Sequence, residues 1–203
     1  MPIYGGAEGF RFISAIMIVL YHIVIIFYPL DPSNFWIIER FWMFTHAFFV
    51  LTGFGLMAGY SDRINMKTVK GILIYLERRA IRIIPLFYSV LFIWMIIRIY
   101  YPINFSIIPI STEQYLLTFS LFFNVFPYAN QDIVLGGWAV SPIFLFYLIF
   151  PILIIGLKKY WIAIPILIIT LLLGTITRTQ LFIDGAPFYY SEQNLICILP
   201  FFI

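Results

Sequence analysis

Little in this sequence is charged, and less of it is reactive in the ways soluble enzymes use. Among 203 residues there are 12 Lys and Arg, 9 Asp and Glu, 2 His and 1 Cys. The lone Cys197 excludes an intrachain disulfide and a cysteine ligand set for zinc or iron–sulfur, so no metal centre is expected. The glycine-rich phosphate loop, the nucleophile elbow and the paired histidine–glutamate zinc motif are all missing, which removes most soluble-type enzyme mechanisms. Charged residues make up 10% of the chain, where soluble domains carry about a quarter. The start MPIYGG also lacks the basic stretch of a signal peptide, so the first apolar run is expected to stay in place as a helix.

What fills the chain is hydrophobe, 63% of it, with 21% aromatic. Runs near the roughly 20 residues that cross a bilayer as a helix fall at Phe10–Tyr28, Trp36–Tyr60, Ile83–Tyr101, Trp138–Leu157 and Trp161–Ile176, and another begins near Tyr189. The pattern predicts an all-α, polytopic transmembrane helix bundle of about five to six spans. The run Tyr115–Phe126 is too short to span and reads as a re-entrant or interfacial helix. Thr68–Ile84 mixes apolar and basic residues ahead of Pro85, which predicts an interfacial amphipathic helix feeding the third span through a proline kink. Ending inside the apolar stretch ICILPFFI, residues 1–203 read as a single membrane-embedded domain cut short on its C-terminal side.

Charge asymmetry gives a direction. Arg63, Lys67, Lys70, Arg78, Arg79 and Arg82 lie between the second and third spans and Lys158 and Lys159 between the fourth and fifth, whereas Pro102–Gly137 has no Lys or Arg. The positive-inside rule then places the N-terminus in the cytoplasm, with odd-numbered spans running outward.

Against this background a few side chains stand out. Arg11 and His22 are eleven residues apart, which on an α-helix returns to within about 20° of one face and separates them by about 16 Å along the axis. Arg11 then lies near one membrane surface and His22 at mid-depth, where an ionisable group normally faces protein or a water-filled cavity. Histidine changes charge near neutrality and suits a general base. A histidine that ties two helices together by a hydrogen bond explains the same position. His46 falls at a similar depth and reads as structural. Arg79 and Arg82 share a helix face. Guanidinium forks of this kind bind phosphate bidentately, and positive-inside anchoring accounts for them as well.

Four stretches, in this order along the chain, resemble the acyltransferase-3 family of bacterial membrane O-acyltransferases: EGFRFISAIMIVLYH, FFVLTGF, RRAIRIIP and GGWAVSPIFLFYLIFP. They span Glu8–Pro151, and family members are larger bundles of which this sequence would be the front part. The resemblance implies transfer of an acyl group, often acetyl from acetyl-CoA as a cosubstrate, onto a hydroxyl of a cell-envelope glycan or lipid-linked sugar. No tightly bound cofactor and no nucleic acid is implied, and the location is the cell membrane. By position, His22 would be the catalytic base, Arg11 would support His22 or the donor, and Arg79 with Arg82 would hold the phosphates of the coenzyme on the cytoplasmic side. Two positions depart from the pattern. Thr52 stands where the family often has serine, and Ile143 stands where many members have glutamate. That second departure keeps another class open, a polysaccharide export or translocation component.

Overall fold

In this all-helical chain the backbone's hydrogen bonds close within each segment, as an apolar surrounding requires. The computed structural model describes residues 5–27, 36–60, 66–100, 111–123, 125, 133–134, 136–184 and 194–203, and no strand occurs among them. The elements are α1 (Gly5–Phe27), α2 (Trp36–Glu39), a 3-10 segment Arg40–Met43, α3 (Phe44–Tyr60), α4 (Val69–Tyr100), α5 (Thr112–Ser120), a 3-10 turn Gly137–Ala139, α6 (Val140–Leu157), α7 (Tyr160–Ile183), α8 (Leu195–Ile198) and a 3-10 turn Leu199–Phe202.

Among the described residues, five stretches are long and apolar enough to cross a membrane: Gly6–Ile25, Trp36–Tyr60, Val69–Tyr100, Gly137–Ile154 and Tyr160–Ile183. They correspond one to one with the five full runs expected from the sequence, and the protein is a multi-pass membrane protein. The expected sixth start near Tyr189 lies outside the described residues. Large apolar side chains such as Phe12, Val19, Phe92, Ile99, Ile168 and Leu172 face outward. In water such a surface would drive aggregation, and in a bilayer it is the solvated face.

The structure refines two expectations. The interfacial helix and third span are one continuous helix, α4, of 32 residues with Pro85 inside it. Proline removes a single N–H from the ladder, and the Ser89 hydroxyl donates back to the Pro85 carbonyl at 2.8 Å. At 1.5 Å per residue, α4 is about 48 Å long, well beyond the ~30 Å hydrocarbon layer. Its basic first part can therefore reach the headgroup region without a separate element. The short helix expected over Tyr115–Phe126 starts earlier and ends sooner, as the nine-residue α5, opened by a capping box between Ser111 and Gln114 and closed by Leu121 in the left-handed conformation (φ 62°).

The chain forms two compact units, residues 1–58 with 201–203, and residues 59–200. In the first, α1 presents a half-buried to buried stripe of Ala7, Arg11, Ser14, Ile18 and His22, spaced as one helical face. It packs on α2 and the 3-10 segment that follows. With no hydrophobic drive between helices in lipid, close approach and hydrogen bonds hold such pairs. Gly53 of α3 shows the first: a side chain there would run into the backbone carbonyl of Phe202.

In the second unit α6 is the central element. Half of its membrane-length window is buried, against 11% for α4 and for α7. Phe87 and Leu91 of α4 form a core with Leu121, Phe123, Ile133 and Val134. The fully buried Ser141 hydroxyl donates to the Leu121 carbonyl at 2.7 Å, tying α6 to the end of α5. The pair Gly136–Gly137 is needed where α6 begins. Gly136 has φ 74°, and a Cβ on Gly137 would stand 3.0 Å from that of Val134. In the same unit, Gly174 of α7 lets α8 approach closely, and the Cys197 thiol donates to its carbonyl at 3.4 Å.

Candidate functional site

Arg11 and His22 do lie on one stripe of α1, as their spacing requires. On the span Gly6–Ile25, however, His22 stands three residues from the end, so it sits in the far third of that segment rather than at its middle. The imidazole Nδ1 is 2.8 Å from the Ile18 carbonyl one turn earlier. A carbonyl oxygen only accepts, so Nδ1 carries the proton in this contact and, in the neutral ring, Nε2 keeps its lone pair. That is the tautomer a base acting through Nε2 requires. Tyr21 meets the ring edge-on, with centroids 5.2 Å apart.

Arg11 does something different. Its Nη2 donates to the Leu51 carbonyl of α3 at 2.7 Å. The space for it comes from Gly55, where a Cβ would stand 2.8 Å from Nη2. Arg11 and His22 are about 16 Å apart along α1, too far for the guanidinium to touch the imidazole. The Arg11 guanidinium fastens α1 to α3, and the spacing of charged residues does not point to the glycine beside it. His46 packs among aromatic rings, with centroids 5.5 Å from Trp42, 5.9 Å from Phe49 and 4.5 Å from Phe201.

The second unit holds the paired arginines. Glu77 and Arg78 are exposed, Arg79 is half-buried, and Arg82 is exposed. Both Arg79 and Arg82 lie toward α6, one turn apart. The Arg79 guanidinium carbon stands 4.5 Å from the ring centroid of Tyr60 and 5.4 Å from that of Tyr147, both within cation–π range. Below it, the fully buried Tyr75 meets Tyr60 edge-on at 5.0 Å and Phe150 at 5.6 Å. The Tyr75 hydroxyl and the Arg79 Nε are both buried without a hydrogen-bond partner among the described residues. None of these tyrosines was singled out by the spacing of charged residues, although Tyr60 closes the second apolar run and Tyr147 follows Trp138 within one motif.

Arg82 lines a cleft of about 330 Å³ between α4 and the start of α6. Its other lining residues are apolar or glycine, among them Leu86, Phe87, Val90, Val140 and Ile143. Ile143, the departure from the family pattern, thus shares a cleft with one of the two arginines.

An orphaned buried hydroxyl costs about 1–3 kcal/mol, and replacing it by an apolar group of the same shape removes that cost. Tyr75→Phe is therefore expected to leave the melting temperature of the detergent-solubilised protein unchanged or raised, by about 1 kcal/mol of stability. A clear drop would show that the hydroxyl has a partner the geometry does not provide.

A family model described as an acyltransferase domain matches residues 4–203. No curated protein and no solved structure matches the chain. The match covers α1 with Arg11 and His22, α4 with the paired arginines and α6 with its tyrosine, and the chain belongs to the acyltransferase-3 family of membrane acyltransferases.

Proposed function

We propose that this acyltransferase moves an acyl group, acetyl in the simplest case, from a cytoplasmic acyl-CoA to a hydroxyl of a cell-envelope carbohydrate or lipid-linked sugar. The observation that carries the reading is the Nδ1–Ile18 hydrogen bond, which leaves Nε2 of His22 as the basic nitrogen. In this scheme Nε2 takes the proton of the acceptor hydroxyl as its oxygen attacks the thioester carbonyl. The new C–O bond forms, the C–S bond breaks, and the imidazolium returns its proton to the departing thiolate. No oxidant or reductant enters the balance.

Arg79 and Arg82 are assigned to the phosphates of the coenzyme, because guanidinium forks match phosphate oxygens in number and direction. Arg11 is assigned to holding α1 on α3, and so to the orientation of the helix that carries His22. The excess of Lys and Arg on one side supports an N-terminus in the cytoplasm and residence in the cell membrane.

Mass spectrometry of envelope glycans from cells with and without the gene tests the reaction and the acceptor together. The expected difference is an acyl mass increment on one glycan class, present only with the gene. Glycans of equal acylation and normal export would sink the proposal. Polymer retained inside the cell without the gene would favour an export component instead.

A further inference from the structure

Tyr60 is the last residue of α3, Arg79 lies on α4 and Tyr147 on α6, and all three residues belong to the second unit, where both rings face one guanidinium. The rings stand 4.5 and 5.4 Å from its central carbon. Tyr60 is 9% exposed, Tyr147 7% and Tyr75, beneath them, 0%. The Arg79 Nε is buried too. With its inner edge sealed and its planar surface lying over aromatic rings, the guanidinium has only its terminal amino groups left to meet a partner. Arginine side chains otherwise spend considerable rotamer freedom on binding. One already held in place spends less, and its fork is aimed before the ligand arrives.

We infer that Tyr60 and Tyr147 are positioning residues that cage the Arg79 guanidinium and present its terminal nitrogens as a rigid fork to an anionic phosphate oxygen of the acyl-CoA donor. This rests on the assignment of Arg79 to the donor in the function proposed above. The cage acts through the aromatic faces and not through the phenol hydroxyls. Phenylalanine therefore replaces either tyrosine, while leucine, of similar apolar character but without the ring quadrupole, does not. Lysine in place of Arg79 keeps the positive charge but loses the planar fork.

The test uses the full chain in lipid nanodiscs, with acetyl-CoA as donor for steady-state kinetics and CoA itself as the binding probe. Tyr60→Leu and Tyr147→Leu are each expected to raise the KM for the donor about five- to thirtyfold, with kcat within about twofold. Tyr60→Phe and Tyr147→Phe stay within about twofold of the parent in KM, and Arg79→Lys does not recover the loss. A merely structural cage would lower accumulation and melting temperature without this split between KM and kcat. Leucine variants that fold normally and keep the parent KM overturn the inference while leaving the donor assignment intact, provided Arg79→Ala still loses CoA. If CoA binding is unchanged in Arg79→Ala, the donor assignment itself fails and the cage falls with it.

Discussion

Replacing His22 by alanine is expected to lower the rate of acyl transfer by about 10²- to 10⁴-fold while the protein still inserts and accumulates. The magnitude separates the two readings of this histidine. If the imidazole served only to bond the Ile18 carbonyl, the loss would be that of one intrahelical hydrogen bond, about 1 kcal/mol, and activity would fall in proportion to the folded fraction. His22→Gln makes the contrast sharper. Its amide nitrogen can donate to a backbone carbonyl as Nδ1 does, but it offers no basic nitrogen. The expected outcome is that glutamine and alanine are equally inactive. Recovery of activity by glutamine would show that the hydrogen bond, and not the base, is what the reaction needs. The measurement is transfer of labelled acetyl to the acceptor by membranes matched for protein content.

The helices were legible because an apolar run of about 20 residues has few alternatives in a bilayer. All five full runs recur, and the Arg11–His22 stripe follows from helical periodicity alone. Pro85 marks where the basic segment feeds the third span, but the pattern does not reveal that α4 runs through it as one helix. One missing N–H is a local loss, and the apolar ladder on either side carries the helix through it. Position along a helix also did not reveal partners. Nothing in EGFRFISAIMIVLYH says that the Arg11 guanidinium goes to the Leu51 carbonyl, because the decisive residue is Gly55, forty-four positions away and notable only for lacking a side chain. The tyrosine cage was hidden for a related reason. Tyr60 closes an apolar run, where tyrosine ordinarily marks the membrane interface, and Tyr147 lies inside α6 as one letter of GGWAVSPIFLFYLIFP; that both rings meet Arg79 depends on packing that spacing along the chain does not reveal. Ile143 was visible as a departure from pattern, but only the structure shows that it shares a cleft with Arg82.

That cleft and the cage together set unequal expectations for the two arginines. Arg79→Ala is expected to raise the donor KM by about 30- to 150-fold, the loss of one strong charge-assisted contact of about 2–3 kcal/mol, with kcat little altered. Arg82→Ala is expected to raise it by only about 3- to 10-fold, since Arg82 is exposed and its pairing is shared with water and screened by salt. The difference comes from the surroundings, because the two residues carry the same side chain three positions apart on one helix. Raising the ionic strength should therefore weaken donor binding in the Arg79→Ala variant, which retains only the exposed arginine, by a larger factor than in Arg82→Ala. Donor titrations of both variants at low and high salt make the comparison. Equal KM effects would mean that the cage adds nothing to Arg79. A fall in kcat at unchanged KM would move both arginines from holding the donor to stabilising charge in the transition state, because an interaction lost only there lowers kcat and leaves ground-state binding alone.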